Sequence, residues 1–349
     1  MDLTNLSIGY VALSQNYEQP GDKRRFVHYA RSRNLTFEIA DPSKKYDLVV
    51  LSQNADLSVW CGYDIGGAKI VYDFTDSYLA IPKNELKGSL RGLAKFILGK
   101  SKYLRLNQRK AIQSMCLRSD AVICSTAEQA KDIKPFCNNV HQILDIHSSL
   151  HNRTKTDYAS SKVFNIVWEG MADNAYQFNF LKSVFAELEK RHEIALHFVT
   201  DLSYKRYGGR YGKTYTRDVV KGLCNRVYIY EWNEFMCSEI ICSSDLAIIP
   251  VDLMNPLVRG KPENKLLLFW RMGVPVITSA TPSYERAMKE AGLDMTCRNK
   301  IEWIEMLDKY IMSQESRQVA GIAGGKIANE NYSEDKTLRQ WDEVFQSIF

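Results

Sequence analysis

Short apolar runs of strand length alternate with helical stretches along nearly the whole chain, and this alternation constrains the fold more than any other feature. Residues 6–13 (LSIGYVAL), 35–40, 46–53, 68–76, 120–126 and 140–146 read as strands, with helical periodicity in FVHYARSR and AEQAKDIKPF between them. Residues 150–162 are polar and aperiodic and read as a linker. The pattern then restarts, with strands at 164–170, 194–201, 226–232, 245–251 and 274–280. Most of these runs are apolar on both faces, so each must be covered from two sides, which calls for a parallel sheet flanked by helices. The expected class is α/β, with two Rossmann-like doubly wound parallel-sheet domains; a chain of 349 residues has room for about two.

Composition removes several classes. With 45% hydrophobic and 25% charged residues the chain is ordinary globular material. No apolar run approaches the ~20 residues that span a bilayer. The start, MDLTNLSIGYVALS, has no basic flank, so no secretory signal and a cytoplasmic location are expected. The eight cysteines show no C-x-x-C spacing and several sit in apolar runs, as reduced buried thiols do. The sequons at Asn5, Asn34, Asn152 and Asn331 carry no meaning without such a signal. Charge is uneven: residues 83–110 hold nine basic side chains against one acid, Glu85, in a chain of net charge +5. So local a field speaks to a docking surface.

Some motifs imitate chemistry. Gly99-Lys100-Ser101 and Gly212-Lys213-Thr214 resemble the end of a phosphate-binding loop, but its first glycine is replaced by Ala94 and Tyr207. No Gly-x-Gly-x-x-Gly follows the first strand of either half, which disfavours a nicotinamide enzyme. No Gly-x-Ser-x-Gly, His-Glu-x-x-His or Asp-x-Asp is present. Residues 204–217 (YKRYGGRYGKTYTR) read as a solvated loop, with a lid or a nucleic-acid contact as alternatives.

One block, residues 245–294, stands above this background. A buried strand ends at Pro250, and a loop with Arg259, Gly260 and Lys261 follows. Pro262 then opens a helix with Glu263 in its first turn, and Gly273 ends the helix just before the next strand. A basic loop thus meets a helix N-terminus at the C-terminal edge of a parallel sheet, a combination suited to a diphosphate.

Asp245, Pro250, Asn264, Lys265, Gly273, Pro275, Val276 and Ile277 give this block a pattern that resembles the donor region of GT-B-fold glycosyltransferases. DAVICSTAEQAKDI resembles the last strand–helix unit of their acceptor domain, and GDKRRF and DFTDSYLAIP resemble acceptor-side loops of bacterial surface-polysaccharide enzymes. The resemblance implies two domains facing a cleft: residues 1–150 for the acceptor and 162–335 for a nucleotide-sugar donor. It further implies that the last helix, 336–349, packs back on the first domain through Trp341, Val344 and Phe345. Two departures stand out. The glutamate that the largest retaining family places five residues before the glycine is Leu268 here, and its Lys-Gly after the first donor strand is replaced by Asp173-Asn174-Ala175.

The resemblance assigns donor binding to Gly170, Trp232, Arg259, Lys261, Glu263, Asn264 and Lys265. Cations and a helix N-terminus would stabilise the leaving diphosphate, with no essential metal and no cofactor beyond the donor itself. Asp22 and Asp76 are the candidate acceptor-side bases, the competing reading being a loop salt bridge of Asp22 with Arg24 or Arg25, and a helix cap for Asp76. Arg91, Lys95, Lys100, Lys102 and Arg105 interleave with apolar residues and suit an anionic membrane that presents a lipid-linked glycan. The expected function is sugar transfer from a nucleotide-sugar to a hydroxyl of a glycan or lipid-linked glycan, by a cytoplasmic, membrane-peripheral enzyme of surface-polysaccharide synthesis. A non-catalytic module binding nucleic acid or protein through the basic face, and a nucleotide-sugar epimerase, are the alternatives.

Overall fold

The computed structural model describes residues 3–81, 102, 107–147, 150–205 and 212–349. The chain divides into two compact units. One comprises Met1–Ile146 with Pro256–Pro262 and Glu334–Phe349, the other His147–Asn255 with Glu263–Ser333.

The first unit holds β1 (Ile8–Val11), β2 (Glu38–Ile39), β3 (Leu48–Ser52), β4 (Lys69–Asp73), β5 (Ala121–Cys124) and β6 (Val140–Gln142). All are parallel, in the order β2-β1-β3-β4-β5-β6. Because side chains alternate along a strand, β3 feeds two cores. Val49 and Leu51 join Trp60, Tyr72 and Met115 on one face, and Leu48 and Val50 join Phe26, Tyr29 and Trp341 on the other. The six-residue run at 35–40 yields only the two-residue edge strand β2, since pairing with β1 extends no further than Gly9 with Glu38 and Tyr10 with Ile39. The helix Glu334–Gln346 supplies Leu338, Trp341, Val344 and Phe345 to this unit's second core.

The second unit holds β7 (Phe164–Glu169), β8 (Ile194–Thr200), the antiparallel hairpin β9 (Ser203–Lys205) and β10 (Lys213–Tyr215), β11 (Val227–Glu231), β12 (Leu246–Ile249), β13 (Val276–Ser279) and β14 (Thr296–Cys297). Its sheet is parallel with the order β11-β8-β7-β12-β13-β14. The chain runs outward from β7 to one side and from β12 to the other, so strand order reverses between β7 and β12, and likewise beside β1 in the first sheet. Such reversals open the crevice in which doubly wound sheets hold ligands.

Local chemistry sets the elements that border this crevice. The helix Asn264–Arg271 buries five consecutive residues, Leu266 to Trp270, which places it between the sheet and the helix Gln314–Glu330. It ends as a Schellman turn: Gly273 N donates to Trp270 O at 2.8 Å and Val274 N to Phe269 O at 3.1 Å. Gly273 has φ +69°, a left-handed conformation that disfavours a side chain. The polar stretch read as a linker is fastened to this unit instead of hanging free. Lys155 N donates to Met272 O at 2.8 Å, and Tyr158 Oη donates to Gly273 O at 2.8 Å. Arg317, itself buried, donates to Tyr158 O through Nη2 at 2.8 Å and Nε at 3.2 Å. Sequence periodicity cannot show such anchoring, because loop backbone rather than apolar spacing supplies the contacts.

Candidate functional site

In the second unit the candidate site forms at the end of β7. Lys265, in the first turn of the helix Asn264–Arg271, reaches across so that its Nζ donates to Glu169 O. Its ammonium lies 3.7 Å from the Glu169 carboxylate and 4.9 Å from the centroid of the Trp168 ring. A Cβ on Gly170 would overlap Lys265 Nζ and come within 2.7 Å of the Trp168 ring. Gly170 is therefore the residue that lets the cation sit at the strand end. Lys265 is half-buried, where a charge is less screened than on open surface. The helix begins two residues later than expected: Glu263 is its N-cap, its carbonyl accepting from Leu267 N at 3.0 Å, and Asn264 is the first helical residue. The charge of Glu263 reaches Tyr284, whose phenol is raised first by burial and then by that carboxylate. Trp232 follows β11 at the same sheet edge, its N donating to Thr200 O at 3.1 Å. It stands two strands from β7, about 10 Å across the sheet.

The sequence pattern grouped Arg259 and Lys261 with these residues, but they fall in the segment Pro256–Pro262 of the first unit. There the turn Pro256–Gly260 packs on Tyr78–Ala80 and on the helix Ala127–Ile133. The helix is held by a reciprocal capping box between Thr126 and Gln129. Arg259 is exposed and Lys261 half-buried.

The two acceptor-side carboxylates have different surroundings. Asp22 is fully buried and accepts four hydrogen bonds: from Tyr10 Oη at 2.7 Å, Leu13 N at 2.8 Å, Ser14 N at 3.0 Å and Ser14 Oγ at 2.9 Å. It ties the loop after β1 to the short helix Pro20–Lys23, which replaces the loop expected over GDKRRF. Neither Arg24 nor Arg25 is its salt-bridge partner among the described contacts. Arg25 is buried and forks onto Asp73, Nε to Oδ2 and Nη2 to Oδ1, both at 2.7 Å, while Nη1 reaches Asp145 at 2.9 Å. Burial alone would lower the guanidinium; the two carboxylates override it and raise it. Asp76 is exposed past the end of β4, and Gln53 clamps it, Nε2 donating to Oδ2 at 3.0 Å and Oε1 accepting from Asp76 N at 3.0 Å. Asp76 does not cap the following turn, whose N-cap is Ser77.

Of the basic surface, Arg91, Lys95, Lys100 and Arg105 lie outside the described residues. Lys102 is exposed, its N donating to Asp56 Oδ2 at 2.7 Å. Gly212-Lys213-Thr214 runs into β10 rather than into a phosphate-binding loop. Among the described residues no three His, Cys, Asp or Glu side chains are grouped to hold a metal ion. Sequence reasoning missed Trp168, Glu169, Gln53 and the Arg25–Asp73–Asp145 cluster. Arg25 and Asp73 lie 48 residues apart, so their pairing leaves no local signal in the sequence.

No protein-family model matches the chain, and no curated protein matches it in sequence. Solved structures do match. HepE of Anabaena, determined with UDP-glucose, is 12% identical with a TM-score of 0.63, covering 98% of this chain and 100% of HepE. Sucrose-phosphate synthase from Thermosynechococcus elongatus is 13% identical with a TM-score of 0.61, covering 93% of this chain and 76% of the synthase. A variant of TarM from S. aureus, determined with UDP among its ligands, is 10% identical with a TM-score of 0.58, covering 85% of this chain and 55% of TarM. At these identities the likeness is one of fold, and the fold is GT-B.

Proposed function

We propose that the protein is a glycosyltransferase that moves a sugar from a nucleotide-sugar to a hydroxyl of a glycan or lipid-linked glycan, in the synthesis of a bacterial surface polysaccharide. The observation that carries this is the Lys265 ammonium placed over Gly170 at the strand-order reversal of a GT-B fold. A diphosphate there meets a cation, a bare glycine backbone and a helix N-terminus together, and each favours negative charge. The same groups stabilise the diphosphate as it leaves, which is where glycosyl transfer builds up charge. Trp232, at the edge strand, serves as the wall for the nucleotide base, and Glu263 and Asn264 as partners of ribose or sugar hydroxyls. No essential metal is required in this reading, because side-chain cations perform the neutralisation.

On the acceptor side, Asp76 has the exposure a base needs to take a hydroxyl proton, and Asp22 does not. Asp22 has committed its carboxylate to the loop after β1, so its part is to shape that loop. The basic stretch 83–110 is proposed to bring the enzyme to an anionic membrane surface carrying the acceptor.

The test is a thermal-shift screen against nucleoside diphosphates and nucleotide-sugars. A ligand that binds only the native state must raise the melting temperature. The expected result is a selective shift for one base that Lys265→Ala reduces, followed by transfer of that sugar to a glycan acceptor. No shift at millimolar ligand for any nucleotide would overturn the donor-site assignment.

A further inference from the structure

A cavity of about 570 Å³ opens at the C-terminal ends of β12, β13 and β14, inside the second unit. Gly170, Trp232, Glu263, Asn264 and Lys265 are not among its walls. Its size is that of a small-molecule site, ~300–1,000 Å³. The walls are aromatic on one side. Trp303 is buried, and Phe180 meets it edge-on at 6.3 Å between centroids. Tyr176, four residues before Phe180 on the turn of helix Ala172–Leu181, is 43% exposed. Met254, also in the walls, is 88% exposed.

Much of the polar side of the cavity is engaged in hydrogen bonds. Asp252 N donates to Gln177 Oε1 at 3.1 Å, and Asp252 Oδ1 accepts from Met254 N at 3.0 Å. Ser279 Oγ links both Val251 N and Val251 O, at 2.9 and 3.0 Å. The N-terminus of the helix Lys300–Met312 also faces the cavity, but Asn299 Oδ1 accepts from Ile301 N and Glu302 N, both at 3.0 Å. Arg298 pairs with Glu285 and Glu302. The donors at this helix end and the Arg298 guanidinium are engaged, and Lys300, the other cation in the walls, is exposed, so water screens its charge and an anion gains little here. What remains is an apolar, partly exposed ring face beside fixed amide and carboxylate groups. That combination suits a ring with one apolar face and hydroxyls around its edge.

We propose that this cavity binds a neutral sugar ring of an oligosaccharide, stacked on Tyr176 and hydrogen-bonded to Asp252 and Asn299, at a site separate from the nucleotide. The proposal rests on the reading that the protein handles glycans, but its readout does not depend on transfer. The experiment titrates the full chain with neutral trisaccharides of gluco, manno, galacto and N-acetylglucosamine configuration up to tens of millimolar. Binding is followed by saturation-transfer NMR, with and without the nucleotide that gives the largest thermal shift.

At least one trisaccharide binds, its affinity is unchanged by the nucleotide, Tyr176→Ala weakens it about tenfold as loss of one aromatic contact does, and Tyr176→Trp retains it. Tyr176→Ala leaves the nucleotide shift intact, which shows that the variant is folded. No binding by any trisaccharide overturns the proposal, as does displacement by the nucleotide or binding indifferent to Tyr176→Ala. Trisaccharide binding without any nucleotide response sustains the cavity assignment and overturns the transferase reading, so the two fail separately.

Discussion

At Gly170 a missing side chain decides where a charge can sit. Gly170→Ala pushes a methyl group into the Trp168 ring and the Lys265 ammonium; the lysine end can move and the indole cannot. The variant is expected to bind nucleotide about tenfold more weakly, with a smaller effect on melting, because one charge-assisted contact is worth about 1.5–3 kcal/mol. Titration calorimetry against the nucleotide selected by thermal shift checks it; unchanged affinity would detach Gly170 from the donor site. The two carboxylates differ in the opposite way. Asp22→Ala removes a buried acceptor of four bonds and is expected to destabilise the protein by about 3 kcal/mol in urea unfolding. Asp76→Asn keeps the exposed Gln53 clamp geometry and is expected to leave unfolding unchanged while lowering turnover at least a hundredfold, the usual worth of a positioned base. Equal turnover in Asp76→Asn would remove Asp76 from the chemistry. In sequence Asp22 and Asp76 were matched candidates, one in the loop after a strand and the other at the end of a strand. Burial separates them, and burial depends on Tyr10, a residue that strand periodicity treats only as core.

The helix Glu334–Gln346 shows how an element is held once its apolar stripe has placed it. Trp341 stacks on Tyr29 with centroids 5.6 Å apart, and Trp341→Ala is expected to cost about 3–5 kcal/mol in urea unfolding. Asp342 adds a polar lock, accepting from Arg33 Nη2 at 2.6 Å, Arg33 Nε at 3.0 Å and Tyr29 Oη at 3.0 Å. The Arg33 bonds first, then that from Tyr29, hold its carboxyl below the ordinary aspartate range. A carboxyl depressed in the fold binds its proton more weakly there than in the unfolded chain. Its contribution is therefore complete above the unfolded value of about 4 and is lost as pH falls through the lower folded one. Asp342→Asn is expected to cost about 1 kcal/mol at pH 7 and progressively less as pH falls below about 4, read from urea midpoints across that range. A difference independent of pH would mean that Asp342 acts through packing. At this scale the sequence was most legible where apolar spacing is long, as in β3, β8 and the stripe Leu338, Trp341, Val344, Phe345. It was least legible where contacts are made by backbone. The anchored stretch around Tyr158, the two-residue β2 and the helix Pro20–Lys23 have no periodicity to betray them.

Over the whole molecule, a shared architecture at 12% identity with HepE means that apolar alternation, strand-end glycines and caps carry the fold, while most surface residues are free to differ. The surface is thus where this chain's own behaviour is written, and its most uneven part is residues 83–110, nine cations to one acid in a chain of net charge +5. Among the described residues no helix is long and apolar enough to cross a membrane. Electrostatic attraction to an anionic bilayer is worth about 1 kcal/mol per cation close to it and fades within a Debye length of about 10 Å at 0.1 M salt. The full chain is therefore expected to co-sediment with vesicles containing anionic phospholipid, to be released by raising salt, and to ignore vesicles of zwitterionic lipid alone. Replacing Arg91, Lys95, Lys100 and Lys102 with glutamine removes about 4 kcal/mol of that attraction, roughly a thousandfold in partitioning. The same variant should keep the full nucleotide-induced thermal shift, because the proposed donor residues of the second unit are untouched. If wild-type protein stays in the supernatant with anionic vesicles at low salt, the basic stretch serves some other anion. Loss of the nucleotide shift together with sedimentation would mean instead that the four substitutions disturbed the fold, and single replacements at Lys95 and Lys102 would then carry the comparison, each expected to weaken partitioning about fivefold.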